Sequence, residues 1–137
     1  MMEKIVLTLL LATSNSYCKL LIDDFYKQSW YELAAPFFTE CACITDVPLD
    51  LAYRLFFNTE LPDNSCLKCF IKCIAEKTFL IDLRTGEWIE QEMVRQIEGI
   101  TPDRASNCYN ITHQEIDPCQ KAYKIVYCIV MSVAVAI

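Results

Sequence analysis

The chain has 137 residues, of which 54% are hydrophobic and 22% charged, with only two glycines and five prolines. This length suits one domain with a single hydrophobic core, and the composition argues against disorder and against a loop-dominated fold. The formal net charge of -6 offers no basic surface, so neither nucleic acid nor anionic lipid is an expected partner.

The first 18 residues have the pattern of a secretory signal peptide. A charged start precedes an apolar run at residues 5–12 and small or polar residues at 13–16. The apolar run is too short to span a bilayer. Cleavage after Cys18 would leave an even number of cysteines, which suits a disulfide framework, although cleavage after Ser16 also fits the pattern. We therefore expect a secreted, extracellular domain at residues 19–137.

Helical periodicity begins directly after this segment. Apolar side chains recur at helical spacing from Lys19 to Phe38, which predicts a first helix that is bent or interrupted near Pro36. Residues 47–50, Val-Pro-Leu-Asp, open a second short helix with proline near its first turn, and apolar residues continue it to Phe56. Most aromatic side chains in these segments are expected to fill a core.

A segment with three cysteines predicts the central helix. Cys66, Cys69 and Cys73 stand at positions i, i+3 and i+7, so a helix places all three thiols on one face. The preceding residues 63–65, Asp-Asn-Ser, are good N-cap candidates, and the helix should persist to about residue 78 or 79.

The next stretch is less regular. Residues 79–83 form a brief apolar run that could be a short strand, although a helix end and a loop are expected, and residues 84–87 give a turn signal. Apolar residues within 88–100 then predict an amphipathic helix that is stopped by Gly99.

Two further helical segments complete the chain. Residues 101–103, Thr-Pro-Asp, begin one that carries the sequon at Asn110, a candidate glycosylation site in a secreted protein. Asp117 and Pro118 open the last as N-cap and first helical residue. The charge-free tail from Ile129 to Ile137 could fold across or into a cavity as a lid, or be a frayed or surface-packed terminus.

Structural disulfides are the expected state of the cysteines. A redox site at Cys66-x-x-Cys69 would need a strand before its helix, which the pattern lacks. A zinc site formed by Cys41, Cys43, Cys66 and Cys69 is not expected, because in a secreted protein oxidation of the thiols to disulfides prevails over zinc binding. We therefore expect no metal and no cofactor. Each disulfide that closes a loop of tens of residues contributes about 3 to 4 kcal/mol in the chain-entropy model.

The cysteine spacing resembles that of the insect odorant-binding and pheromone-binding proteins. The matching signature is Cys41, Cys69-x3-Cys73, Cys108 and Cys119-x8-Cys128. Similar neighbouring sequences are residues 47–50, residues 68–73, the turn at Gly86 and residues 117–123. The resemblance covers roughly residues 19–131, which is nearly the whole expected mature domain.

The resemblance implies an all-α fold, a compact disulfide-stapled bundle of about six helices enclosing an apolar cavity. The disulfide pairing that it implies is Cys41 to Cys73, Cys69 to Cys119 and Cys108 to Cys128. Helix geometry agrees, since Cys69 and Cys73 lie one turn apart and can tie one helix to two neighbours.

Two cysteines depart from the six-cysteine pattern. We predict a fourth bond between Cys43 and Cys66, because Cys66 lies one turn before Cys69 on the same face. The extra cysteine leaves open whether Cys41 or Cys43 is the first of the signature, although the position of Val47 fits Cys41 better.

The function implied by the resemblance is that of a non-catalytic, secreted carrier. It would reversibly bind small hydrophobic ligands such as odorants, pheromones or lipid-like semiochemicals. Stable membrane insertion is not expected. A chemosensory receptor and a second copy of the chain are further candidate partners. Any candidate ligand contact could equally be core packing. These candidates are Phe25, Trp30, Phe37, Tyr53, Phe56, Phe79, Trp88, Met93, Ile97, Tyr123 and Tyr127.

Other functions find less support in the sequence. A single histidine and the lack of a glycine-rich phosphate loop leave little on which to build an active site, so no enzyme is expected. His113 could drive acid-dependent release, or be an ordinary surface group. The alternative is a secreted cysteine-rich defence or venom protein acting on membranes or proteases, a class that is typically cationic or loop-rich.

Overall fold

Residues 20–136 are described by a computed structural model and form a helical bundle. The signal peptide predicted at residues 1–18, with its two candidate cleavage sites, lies outside the described residues, as does Ile137 of the tail. The α-helices in chain order are α1 (Asp24–Ala34), α2 (Phe38–Thr45), α3 (Leu49–Phe57), α4 (Ser65–Lys77), α5 (Glu90–Gln96), α6 (Pro102–Thr112) and α7 (Pro118–Val133).

The two ends of the described chain meet in a short strand pair. Strands β1 (Leu20–Leu21) and β2 (Val135–Ala136) pair antiparallel, with Leu20 opposite Ala136. Counting the bent α1–α2 as one helix, residues 20–136 contain six helices, which confirms the predicted all-α bundle of about six. Over the same residues, no helix combines the length and apolar character needed to cross a bilayer.

The first helix bends at Pro36, as the sequence predicts. A 3-10 turn at Ala35–Phe37 separates α1 from α2, because proline has no N–H to donate to the preceding turn. The helix begins later than predicted, at Asp24 instead of Lys19, because residues 20–21 form β1. It also ends later, since α2 continues to Thr45 and ends where Asp46 takes a left-handed backbone conformation with φ of 56°. Cys41 and Cys43 therefore lie within a helix.

Capping residues set the starts of the later helices. The Asn64 side chain accepts a hydrogen bond from the Leu67 N–H at 2.9 Å at the start of α4. At the start of α7, Asp117 accepts from the N–H groups of Cys119 and Gln120 at 2.9 and 3.0 Å. Each such cap stabilises a helix by about 1 kcal/mol, so these starts are encoded locally.

A hairpin at residues 80–89 replaces the predicted start of the amphipathic helix. Ile81 and Trp88 form an antiparallel bridge, and the Ile89 N–H donates to the Leu80 carbonyl at 2.9 Å. Trp88 is thereby held in extended backbone, and α5 begins only at Glu90. The hairpin contact thus shortens the start of the helix predicted over residues 88–100, and the helix ends at Gln96, before the predicted stop at Gly99.

Three disulfides join the neighbours of α4 and α7. Cys41 to Cys73 ties α2 to α4, Cys69 to Cys119 ties α4 to the first turn of α7, and Cys108 to Cys128 ties α6 to α7. These are the pairings that the family resemblance implies. Sequence separations of 32, 50 and 20 residues correspond to about 3 to 4 kcal/mol each in the chain-entropy model.

The fourth bond predicted between Cys43 and Cys66 is wrong, because within residues 20–136 neither thiol is in a disulfide. Cys43 follows Cys41 by two residues, which rotates it about 200° around α2. Since Cys41 faces α4, Cys43 faces away from α4 and its side chain is exposed. The rotation is not evident from the sequence because α2 extends beyond the predicted helix end.

Candidate ligand-binding cavity

An apolar cavity of about 90 Å³ lies between the helices and the hairpin. Its wall is built by α1, α3, α4 and α7, by both arms of the hairpin and by the residue after α5. The residues that line it are Trp30, Leu33, Ala34, Leu55, Phe56, Phe70, Ile71, Ile74, Ala75, Leu80, Trp88, Ile97, Val126, Ile129 and Val130. None of these side chains carries a charge, and apart from two indole N–H groups all are hydrocarbon.

Helix α4 supplies the floor of the cavity. Phe70, Ile71, Ile74 and Ala75 lie at i, i+1, i+4 and i+5, which places them on one stripe of the helix, and all four are buried. The two disulfides of α4 lie outside this stripe and fix the helix against α2 and α7. The cross-links therefore hold the wall in place without occupying the space.

Trp30 closes the cavity on the α1 side. Its indole N–H donates to the Glu98 carbonyl at 2.9 Å, so this donor is already satisfied by the protein. The segment after α5 approaches α1 closely at Gly99, where an added Cβ would lie 3.0 Å from a ring carbon of Tyr26. This contact and the indole hydrogen bond dock α1 on the segment that leads to α6.

A family comparison agrees with this architecture. The model of the PBP/GOBP family matches residues 25–132, which is most of the chain. The chain belongs to the PBP/GOBP family. The resemblance in the cysteine spacing is thereby confirmed.

Part of the chain also resembles a curated protein. A 68-residue stretch is 35% identical to general odorant-binding protein 57c of Drosophila melanogaster. The stretch covers 47% of this PBP/GOBP chain and 44% of that relative, so the match spans less than half the length of either protein.

Four of the predicted ligand contacts line the cavity of this PBP/GOBP protein. They are Trp30, Phe56, Trp88 and Ile97. Two more belong to the core without lining the cavity: Met93 is fully buried, and Phe37 is half-buried against the core.

Three predicted contacts point outward instead. Phe25 and Phe79 are 63% and 62% exposed, the latter because Phe79 takes a left-handed φ of 60° where the chain leaves α4. Phe25 lies in the first turn of α1, rotated about 140° from the cavity-lining Trp30. Tyr53 is rotated about 200° from Leu55 on α3 and stacks on Phe38 at 4.7 Å between ring centroids.

The remaining two predicted contacts, Tyr123 and Tyr127, line an open groove between α6 and α7. The Tyr123 hydroxyl donates to the Leu61 carbonyl at 2.6 Å, and its ring lies under the Lys68 ammonium at 5.0 Å from the centroid. Tyr127 is rotated about 200° from the cavity-lining Ile129 on α7. These tyrosines support the loop before α4 and the outer face of α7.

The wall is more aliphatic than the predicted set of contacts. Aromatic residues were not the best guide, because eleven of the fifteen lining residues are leucine, isoleucine, valine or alanine, and six of these eleven lie on the inner stripes of α4 and α7. Apolar spacing at i, i+3 and i+4, as at Val126, Ile129 and Val130, is the sequence signal that identifies them.

The C-terminal tail contributes to the wall as a helix. Ile129 and Val130 line the cavity from α7, which runs to Val133, so this part of the tail is a helical wall of the cavity and not a lid folded across it. Beyond Ala134 the backbone pairs with β1. The tail is therefore held at the edge of the bundle.

Two other predicted residues lie away from the lining. Asn110 is exposed in the last turn of α6, and its glycosylation stays a prediction, whereas Thr112 of the sequon is buried with its hydroxyl donating to the Cys108 carbonyl at 2.8 Å. His113 is exposed at the C-terminal end of α6 beside Tyr109, with 5.3 Å between ring centroids.

A polar cluster anchors the hairpin next to the cavity. The Tyr109 hydroxyl donates to Glu87 Oε2 at 3.0 Å, and Lys121 Nζ lies 3.6 Å from the same oxygen. The hydrogen bond to the carboxylate raises the pKa of Tyr109, with burial and the charges of Glu87 and Glu90 adding to the effect. The sequence signal that could have found this cluster is Lys121, a lone charge on the buried stripe of α7 that includes Ile125.

Proposed function

We propose that this protein is a secreted carrier that reversibly binds a small, uncharged and largely apolar molecule in the cavity. The observation that supports this most directly is the composition of the wall, in which fifteen lining residues offer no charged side chain. Such a site excludes ions, because an unpaired charge in an apolar environment costs several kcal/mol or more.

The volume sets the size of the ligand. An apolar cavity of about 150 Å³ holds benzene, which has six carbons. At about 90 Å³ the cavity is smaller than that, so a ligand of about six or seven non-hydrogen atoms requires the wall to move outward. We therefore propose a ligand in the range of short-chain alcohols, aldehydes and esters.

The affinity should be moderate. Burial of apolar surface contributes about 25 cal/mol per Å². Micromolar binding requires about 8 kcal/mol, or about 1 kcal/mol per non-hydrogen atom for a ligand of this size, which is below the ceiling for small ligands. Carriage and release of a volatile compound are compatible with such binding.

Tryptophan fluorescence should report ligand binding, because the two tryptophans of the chain, Trp30 and Trp88, both line the cavity. Bromohexane, whose bromine quenches indole fluorescence, should quench both at micromolar concentration, and hexanol should reverse the quenching by competition. Charged bromoacetate and free N-acetyltryptophanamide are the controls for collisional quenching. Equal quenching by bromoacetate and bromohexane would contradict a buried apolar site.

Secretion and the domain boundaries are part of the same proposal. We infer that residues 19–137 form the mature domain after removal of the signal peptide, since three disulfides suit an oxidising compartment. Native mass spectrometry of the secreted protein checks the cleavage site, the number of disulfides, a glycan at Asn110, a homodimer and any bound ligand together. A chain that retains residues 1–18 would contradict this boundary.

A carrier role needs no catalytic step. The odorant-binding relative is named for ligand binding. We propose delivery of the ligand to a chemosensory receptor in olfaction as the biological role.

A further inference from the structure

The outer face of α3 carries large apolar side chains that the rest of the described chain leaves exposed. Leu49, Tyr53 and Phe57 stand at i, i+4 and i+8 of this helix, so they share one stripe, which we call the outer stripe. They are 57%, 44% and 44% exposed. The inner side of the same helix buries Leu55 and Phe56 against the cavity. Helix α3 is therefore apolar on two sides, although the single chain buries only one of them.

Aromatic contacts hold the rings of the outer stripe in place. Tyr53 stacks on Phe38 with 4.7 Å between ring centroids and on Phe57 with 6.2 Å. The Phe57 ring in turn lies 5.0 Å from that of Tyr31 on α1. Side chains that are already ordered lose little conformational freedom when a partner binds, so this surface is prepared for association.

Two opposite charges run along one edge of the outer stripe. Asp50 and Arg54 stand at i and i+4, about 60° and 100° around the helix from Tyr53, and both are exposed. Among the described residues, no basic side-chain nitrogen lies within 4.0 Å of the Asp50 carboxylate. Arg54 lies 3.9 Å from Glu60, and both of these side chains are about half exposed, so this pair contributes little. A carboxylate and a guanidinium are thus available beside the apolar stripe.

We propose that the outer stripe of α3 is a self-association surface, on which a second copy of the chain packs its own α3 antiparallel about a two-fold axis beside Tyr53. In such an interface one patch serves both copies. The axis brings Leu49 of each copy to Phe57 of the other and places Tyr53 against its counterpart, where two aromatic rings can pack. The proposal does not depend on the carrier function.

The charges select a second copy in this orientation. A two-fold axis perpendicular to antiparallel helices brings the same edge of each helix together. Asp50 of one copy then lies about 3 Å along the helix axis from Arg54 of the other, a displacement of two residues that the long arginine side chain spans. Each dimer gains two such pairs. In a parallel dimer the charged edges would lie on opposite sides of the contact and could not meet.

The size of the outer stripe makes the dimer weak. Three partly exposed side chains from each copy cover much less than the area of about 800 Å² per partner that is typical of a stable interface. We therefore expect a reversible equilibrium between monomer and dimer, with a Kd on the order of 100 μM at physiological salt. Sedimentation equilibrium of the oxidised protein from about 10 μM to about 1 mM measures it.

Charge reversal tests both the partner and the orientation. Asp50→Lys and Arg54→Glu each place like charges opposite one another, so either should weaken the dimer by at least about tenfold. The double variant exchanges the two charges and should return Kd to within about threefold of the wild-type value. An equimolar mixture of the two single variants should also form a mixed dimer, because one contact then pairs lysine with glutamate and the other pairs Arg54 with Asp50.

Asp103→Lys is the matched control. Asp103 is the second residue of α6, as Asp50 is of α3, and both are exposed, so reversal of either charge has the same effect at a helix start. This variant should keep the wild-type Kd for the dimer. Tryptophan fluorescence and urea denaturation check that every variant is folded. If a charge reversal unfolds the chain, Asp50→Asn and Arg54→Gln replace it, and each should weaken the dimer by about threefold.

Three results would overturn the proposal. A wild-type protein that stays monomeric at about 1 mM would leave the outer stripe to a partner other than a second copy. A dimer of equal strength in the wild-type protein and in both single variants would place the interface on another surface. Single variants that weaken the dimer, with no recovery in the double variant or in the mixture, would exclude the antiparallel pairing of Asp50 with Arg54.

Discussion

Filling the cavity should stabilise the protein and abolish binding, and Ala75→Leu is the substitution that tests this. Ala75 lies on α4, is 2% exposed and lines the cavity. Leucine adds three carbon atoms at this position. At about 0.8 kcal/mol for each buried CH2 group, the free energy of unfolding should rise by up to about 2 kcal/mol if these atoms enter the empty space.

The same three carbons remove a large part of the space for the ligand. Since an apolar cavity of about 150 Å³ is the size that holds benzene, three carbons added to a cavity of about 90 Å³ leave too little room for a six-carbon ligand. The affinity for bromohexane should therefore fall by at least about tenfold. Urea denaturation measures the first effect, and tryptophan quenching measures the second.

Ala105→Leu is the matched control for this substitution. Ala105 on α6 is fully buried but does not line the cavity, so the added atoms have no space there. Overpacking of this kind costs about 1 to 3 kcal/mol. If Ala75→Leu destabilised the protein as much as Ala105→Leu and left the binding of bromohexane unchanged, the space at α4 would not be a ligand cavity.

Three further predictions concern single residues. The hydrogen bond to Glu87 raises the pKa of Tyr109. Its contribution to the free energy of unfolding is therefore complete below about pH 10 and is lost as the pH rises through the raised pKa. Tyr109→Phe should lose less stability than the wild-type protein at alkaline pH, as measured by urea denaturation at a series of pH values. Gly99→Ala should cost about 1 to 3 kcal/mol, because φ is 89° and the new Cβ would lie 3.0 Å from the Tyr26 ring, and an unchanged unfolding midpoint would contradict that close approach. The exposed Cys43 thiol should react with iodoacetamide in the native protein, as peptide mapping would show. An unmodified Cys43 would contradict an exposed free thiol at this position.

Local signals in the sequence predict the helix starts well. Asn64 and Asp117 cap their helices through bonds to residues two or three positions away, so the information lies within one turn. The bend at Pro36 has the same local origin. The family signature adds the disulfide pairing, which spacing alone does not give.

Contacts between distant residues account for most of what the sequence does not predict. Trp88 leaves its expected helix because Ile81 pairs with it across the hairpin. The bond between Tyr109 and Glu87 joins residues 22 positions apart, and neither has a local motif. The cavity wall was predicted only in part because the inner stripe of a helix is fixed by its packing partners.

The pairing of Leu20 with Ala136 closes the backbone into a near-complete ring. A short linker could therefore join the two ends, and new termini could be opened at the exposed tip around Gly86. Such a circular permutant would keep every helix and all three cross-links while cutting the turn between Leu80 and Trp88. The ring thus offers a way to ask whether the cross-linked shell folds without a continuous chain between these two residues.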